Sequence, residues 1–79
     1  MRVEVELPSM GEDAEDLANV AYWLVEVGDE VSEGDDLVEL TTDKAAFNLP
    51  SPASGTVVEL EVEEGDDVSV GDVLCVLEV

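Results

Sequence analysis

Lys44 is the only lysine in this chain of 79 residues, and it sits mid-sequence in the stretch Thr41-Thr42-Asp43-Lys44-Ala45-Ala46-Phe47. A lone amine there is either a surface feature or the one position where this chain does chemistry. Arg2 is the other basic residue, against 22 acidic ones. Histidine is absent and Cys75 is the single cysteine. The commonest general base is therefore missing, and zinc has no ligand set. A lone cysteine also excludes an intrachain disulfide and suits a reducing, cytoplasmic compartment. Glu12, Asp13, Glu15 and Asp16 gather four carboxylates in one loop. They lack the spacing and the terminal bidentate glutamate of a calcium loop, so a solvated loop is expected. For Lys44 two readings stand at this point, a solvated surface amine or a modification site.

The elements that would position it are short strands. Residues 2–7 alternate, with Val3, Val5 and Leu7 on one face and Arg2, Glu4 and Glu6 on the other, until Pro8 stops them. Residues 9–19 carry Gly11 and the four carboxylates and read as a loop. Further strands are expected over 20–27, 37–42, 45–49, 56–62 and 73–79, separated by Gly-Asp and Pro signals. No stretch holds a helical period. The expected class is all-β.

An internal repeat organises these strands. Residues 27–40 lie over residues 64–77 at an offset of 37, with Gly28/Gly65, Asp29/Asp66, Val31/Val68, Ser32/Ser69, Gly34/Gly71, Asp35/Asp72, Leu37/Leu74 and Leu40/Leu77 identical. Matched glycines imply the same positive-φ bend made twice. Leu7-Pro8-Ser9 matches Leu49-Pro50-Ser51 at an offset of 42, which gives the first half five extra residues after its proline. Two such halves about a pseudo-two-fold axis predict a flattened β-barrel or sandwich. The expected inward set is Val3, Val5, Leu7, Ala21, Trp23, Val25, Leu40, Val58, Leu60, Val62 and Leu77. Cys75 joins it with Leu77 and Val79, while Tyr22 points the other way. Lys44 then falls at the junction of the halves, on a hairpin tip at the same end as the 9–19 loop and opposite both termini.

Composition bounds the rest. The formal charge is −20, yet 46% of residues are hydrophobic, so this is a folding chain and not a disordered acidic tail. Residues 1–79 are expected to form one small domain. Such a surface suits neither nucleic acid nor an anionic membrane. The apolar runs are too short for a membrane span, and no apolar leader follows Met1. Acid in place of lysine nearly everywhere points to adaptation to high salt, a halophilic habitat.

A single lysine on a hairpin tip between two homologous half-barrels resembles the biotinyl/lipoyl carrier domains. Asp43-Lys44-Ala45 is similar to the lipoyl motif, whereas the biotinyl version has methionine on both sides of its lysine. The resemblance spans the chain through Leu7-Pro8-Ser9-Met10-Gly11-Glu12, Gly28-Asp29-Glu30-Val31, Gly34-Asp35, Ser51-Pro52-Ala53-Ser54-Gly55 and Glu64-Gly65-Asp66. It looks most like the lipoyl domains of 2-oxo acid dehydrogenase acyltransferases. Family members often carry an acid where Thr41 stands and a glycine near Ala18-Asn19, differences that bear on partner choice.

The resemblance implies a non-catalytic carrier, with lipoate amide-linked to Lys44 by a lipoate ligase or lipoyl transferase and with Asp43 and Ala45 as recognition residues. It implies a thiamine-dependent 2-oxo acid decarboxylase as acyl donor, contacting the 9–19 loop. An acyltransferase core would be the acceptor, and dihydrolipoyl dehydrogenase would reoxidise the dithiol. A biotinyl carboxyl carrier and an unmodified acidic interaction module are the alternatives.

Overall fold

The structure is a computed structural model that describes residues 1–9 and 17–79. The four loop carboxylates Glu12, Asp13, Glu15 and Asp16 lie outside the described residues. Among the described residues eight strands follow in order: β1 Arg2–Glu6, β2 Leu17–Trp23, β3 Glu30–Val31, β4 Asp36–Thr41, β5 Ala46–Pro50, β6 Gly55–Leu60, β7 Asp67–Ser69 and β8 Val73–Glu78. They pair antiparallel into two four-stranded sheets, ordered β1-β8-β6-β3 and β5-β4-β2-β7. The all-β expectation holds, as a sandwich of two sheets that do not close into a barrel. One apolar core joins them, with Val5, Val57, Leu74 and Leu77 from the first sheet meeting Val20, Leu37, Leu40 and Leu49 from the second.

Exchanging β1 with β5, β2 with β6, β3 with β7 and β4 with β8 turns one sheet's order into the other's. The repeat is thus a structural one, and it extends to irregularities. The ladder skips Ala21 in β2 and Val58 in β6, then Leu37 in β4 and Leu74 in β8, each pair 37 residues apart. A bulge lets neighbouring residues share a face. This corrects the inward set: Val20 and Val57 are fully buried, while Ala21 and Val58 are only half-buried. It also explains why Leu37-Val38 and Leu74-Cys75 are buried as consecutive pairs. Fully burying one such leucine stabilises the fold by about 1.5–3 kcal/mol. Val79, expected inside, is exposed.

The five-residue difference between halves is also corrected. Val5 lies opposite Cys75 and Leu49 opposite Val38, so β1 maps onto β5 at an offset of 44, and the first half has seven extra residues. Leu7 N donates to Asp72 O at 3.0 Å just as Ser51 N donates to Asp35 O at 2.7 Å. Leu7 is therefore the counterpart of Ser51, and the matched Leu-Pro-Ser triplets are not equivalent. Ser51 can stand where a leucine is buried because its hydroxyl donates to Ala53 O at 2.6 Å.

One turn device recurs four times. Gly28, Gly34, Gly65 and Gly71 have φ of 98°, 92°, 95° and 94°. The aspartate after each accepts a backbone N–H from three residues earlier, as in Glu26 N to Asp29 Oδ2 and Ser69 N to Asp72 Oδ2, both 2.8 Å. Asp35 and Asp66 do the same for Ser32 and Glu63. Glycine allows the left-handed residue and aspartate closes the loop behind it. Four of the acidic residues are thereby turn elements.

Candidate functional site

Strands β4 and β5 form the hairpin that carries Lys44. Their last ladder pair is Thr41 opposite Ala46. Beyond it Thr42 N donates to Ala45 O at 2.8 Å, closing a loop with Asp43 and Lys44 at its apex. Neither residue has positive φ. Two-residue hairpin loops normally favour positive φ at the apex, because that twist matches the strands. Here a side chain supports the less usual turn. Thr42 Oγ1 accepts from Lys44 N at 3.3 Å and from Ala45 N at 3.2 Å, and it donates to Ala45 O at 3.2 Å. A hydroxyl has one donor and two acceptor lone pairs, so its capacity is filled by the tip.

Asp43, Lys44 and Ala45 are all exposed. The three residues expected to form the site are thus contiguous and presented on the apex. Thr42, the residue that organises them, had no role assigned from sequence. A hydroxyl just before an Asp-Lys apex is the signal that could have found it.

The tip also has a counterpart in the other half. In the first sheet Val79 N donates to Met1 O at 2.8 Å, matching Thr42 N to Ala45 O. Lys44 therefore occupies in one sheet the place that the chain ends occupy in the other, as the half-repeat predicts.

Beside the tip lies a shallow depression bordered by Leu17, Asn19, Thr42, Asp43 and Asp67. Its floor corrects the 9–19 loop. Residues 17–19 begin β2, with Leu17 opposite Ser69, Ala18 opposite Val68 and Asn19 opposite both Asp67 and Thr41. Leu-Ala-Asn carries no β-branched residue, so local preference gave no strand, and pairing on both sides made one. Asn19 Nδ2 donates to Gly65 O at 2.9 Å and to Asp67 Oδ1 at 3.1 Å, which ties β2 to the turn before β7. Residues 10–16 of the expected partner loop lie outside the described residues.

Two other candidates are structural. Cys75 is buried, and burial pushes its thiol up to about 11, so it stays protonated and unreactive near neutral pH. Trp23 packs against the core and donates Nε1–H to Val62 O at 3.0 Å.

Against this geometry, residues 3–77 match the biotin/lipoyl family, described as "Biotin-requiring enzyme". The chain belongs to that family. Among curated biotin/lipoyl relatives, it is 38% identical over 77 residues to the dihydrolipoyllysine-residue acetyltransferase component of the pyruvate dehydrogenase complex of Corynebacterium glutamicum. It is 43% identical over 74 residues to the component of that name from Staphylococcus aureus. The matches cover 98% and 94% of this chain but 11% and 17% of those proteins.

Among solved structures, the lipoyl domain of the 2-oxoglutarate dehydrogenase complex from Azotobacter vinelandii superposes with a TM-score of 0.77 at 27% identity. The match covers 98% of this chain and 96% of that one. The urea carboxylase of Kluyveromyces lactis gives a TM-score of 0.64 at 26% identity, over 94% of this chain and 7% of that one.

Proposed function

We propose that this chain is a single lipoyl carrier domain, non-catalytic in itself, with lipoate amide-linked to Lys44. The observation that carries the proposal is the lysine on an exposed apex whose backbone is held by Thr42, flanked by Asp43 and Ala45. The residues fit such a group. The apex is open to a modifying enzyme's active site, and neither flank is bulky. Lys44 Nζ, after losing a proton, attacks the carbonyl carbon of an activated lipoyl ester or anhydride. The C–N bond forms and the C–O bond to the activating group breaks. A lipoate ligase or lipoyl transferase supplies that activation, so the domain needs no catalytic base of its own.

When bound, a dithiolane supplies acyl-carrying and two-electron redox chemistry. The domain's part is to hold the attachment atom on a rigid hairpin, away from the core, where successive active sites reach it. A thiamine-dependent 2-oxo acid decarboxylase, an acyltransferase core and dihydrolipoyl dehydrogenase follow as partners, in the cytoplasm. The first of these would meet Asp43, Ala45 and the 9–19 segment. The names of the Corynebacterium and Staphylococcus relatives support an acyltransferase context. The acidic surface fits a halophilic host and argues against nucleic acid or anionic membrane as a partner.

A biotinyl carrier is the second reading, favoured by the description of the matched family as "Biotin-requiring enzyme". Against it stand Asp43 and Ala45, where methionines flank the biotinyl lysine. Intact mass of the chain expressed in its own host separates the two. A lipoyl increment on the Lys44 peptide supports the proposal, and a biotinyl increment replaces it. If the chain is an unmodified interaction module, Lys44→Ala leaves function intact, whereas either carrier loses all transfer.

A further inference from the structure

Each sheet has two open edges, β1 and β3 in the first and β5 and β7 in the second. Three of these edges are guarded against pairing with another chain. β3 is two residues long and β7 three, and each opens on an acid. β1 has five residues, of which Arg2, Glu4 and Glu6 are charged. β5 is as long as β1 and has no charge, and residues 45–58 carry none in a chain that is 30% charged. Only Pro50, at its far end, blunts it. The half-repeat sharpens the contrast. β1 maps onto β5 at an offset of 44, so Ala46 stands where Arg2 does, Asn48 where Glu4 does and Pro50 where Glu6 does.

The backbone of β5 is equally open. Thr42 N donates to Ala45 O at 2.8 Å, and antiparallel bonding alternates from that rung. Phe47 and Leu49 therefore turn their N–H and C=O toward β4, and Ala46 and Asn48 turn theirs outward. Ala46 and Asn48 are both exposed. An antiparallel copy of β5 centred on Phe47 sets Ala46 opposite the partner's Asn48 and Asn48 opposite the partner's Ala46. Every outward N–H then meets an outward C=O, and Pro50, which has no N–H, falls beyond the pairing. Phe47 meets its own counterpart at the close, non-hydrogen-bonded position, where aromatic pairs stabilise a sheet. Its half-buried ring already borders a groove with Pro8, Leu49 and Pro50, which the second ring extends.

We infer that β5 pairs with β5 of a second copy of this chain, joining two β5-β4-β2-β7 sheets into one across a two-fold axis. Pairing through β5 is independent of the carrier reading. Two chains of charge −20 repel wherever acid faces acid, so they approach best along a charge-free strip, and β5 is the edge that offers one. The same register carries Lys44 of each copy toward the partner's Asp36, which lies across from the partner's Pro50 on β4. So short an edge buries far less than the ~1,200 Å² of a stable complex. The dimer is therefore weak, and it forms where salt screens the repulsion.

Sedimentation equilibrium of the chain from about 0.01 to about 1 mM tests this. The expected result in 1 M salt is a monomer–dimer equilibrium with a Kd on the order of 0.1 mM, weakened at least about tenfold in 0.1 M salt. Ala46→Glu/Asn48→Glu gives β5 the kind of charge that guards β1, and Asn48→Pro removes an outward N–H that the ladder to β4 does not use. Each should raise the Kd in 1 M salt at least about tenfold. Both variants are checked for an unchanged melting temperature, and either one that passes keeps the test decisive. In the wild-type chain, amide exchange at Ala46 and Asn48 should slow about fourfold between about 0.01 and 1 mM by mass action, with Arg2 and Glu4 unchanged. A chain that stays monomeric at about 1 mM in 1 M salt overturns the inference. So does a dimer that survives a correctly folded variant, or slowed exchange at Arg2 and Glu4 in place of β5.

Discussion

Thr42 Oγ1 holds two backbone N–H groups and one carbonyl at the apex, and those contacts fix where the Lys44 backbone stands. A modifying enzyme that recognises a lysine by its place on a turn depends on that geometry. Thr42→Val keeps the shape and β-branching but removes the hydroxyl. Enzymatic lipoylation of Lys44 should fall about tenfold in kcat/KM, equivalent to ~1.4 kcal/mol, with Thr42→Ser restoring it. Chemical acetylation of Lys44 by a small activated ester, followed by mass spectrometry, should be unchanged, because only the presentation of the amine is altered. The exposed hairpin tip at Lys44 was legible from sequence, through a lone lysine between matched halves. The hydroxyl that secures it was not, since its role depends on negative φ at Asp43 and Lys44, which residue types alone do not determine.

The strands repeat in pairs, and so do their defects. Matched bulges at Ala21 and Val58, and at Leu37 and Leu74, decide which residues reach the core. Strict alternation misplaced Ala21 and Val58 for this reason, because a one-residue slip exchanges the faces of everything beyond it. The glycine-aspartate turns, by contrast, were visible as identical pairs in the repeat. Gly55 shows how closely equivalent elements can differ. A Cβ there would strike the Glu78 carbonyl oxygen and the Val79 side chain, whereas its counterpart Ala18 is accommodated. Gly55→Ala should therefore destabilise the domain by about 1–3 kcal/mol, read from urea unfolding with an unchanged m-value. Ala18→Gly should cost less than that, chiefly through backbone entropy.

At the scale of the molecule, a core joining two small sheets is set against a charge of −20. Met1 and Arg2 form ion pairs with Glu59 and Glu78, but two basic residues cannot neutralise 22 acidic ones. Screening lengths fall from about 10 Å at 0.1 M salt to about 3 Å at 1 M. The melting temperature should rise by several degrees over that range, each ~1 kcal/mol being worth about 4–8 °C in a domain of this size. A flat response in a differential scanning measurement would count against charge repulsion as the main destabilising term. The fold class and the half-repeat were legible in the sequence. The division into two separate sheets and the contrast between the β1 and β5 edges required the register. The central claim is that one lysine, placed where the halves join, carries lipoate. Its most direct test is the intact mass and peptide sequence of the chain from its own host. A single lipoyl amide on Lys44, lost in Lys44→Arg, is the predicted result. An unmodified Lys44 in a cell able to lipoylate its other carriers would contradict it.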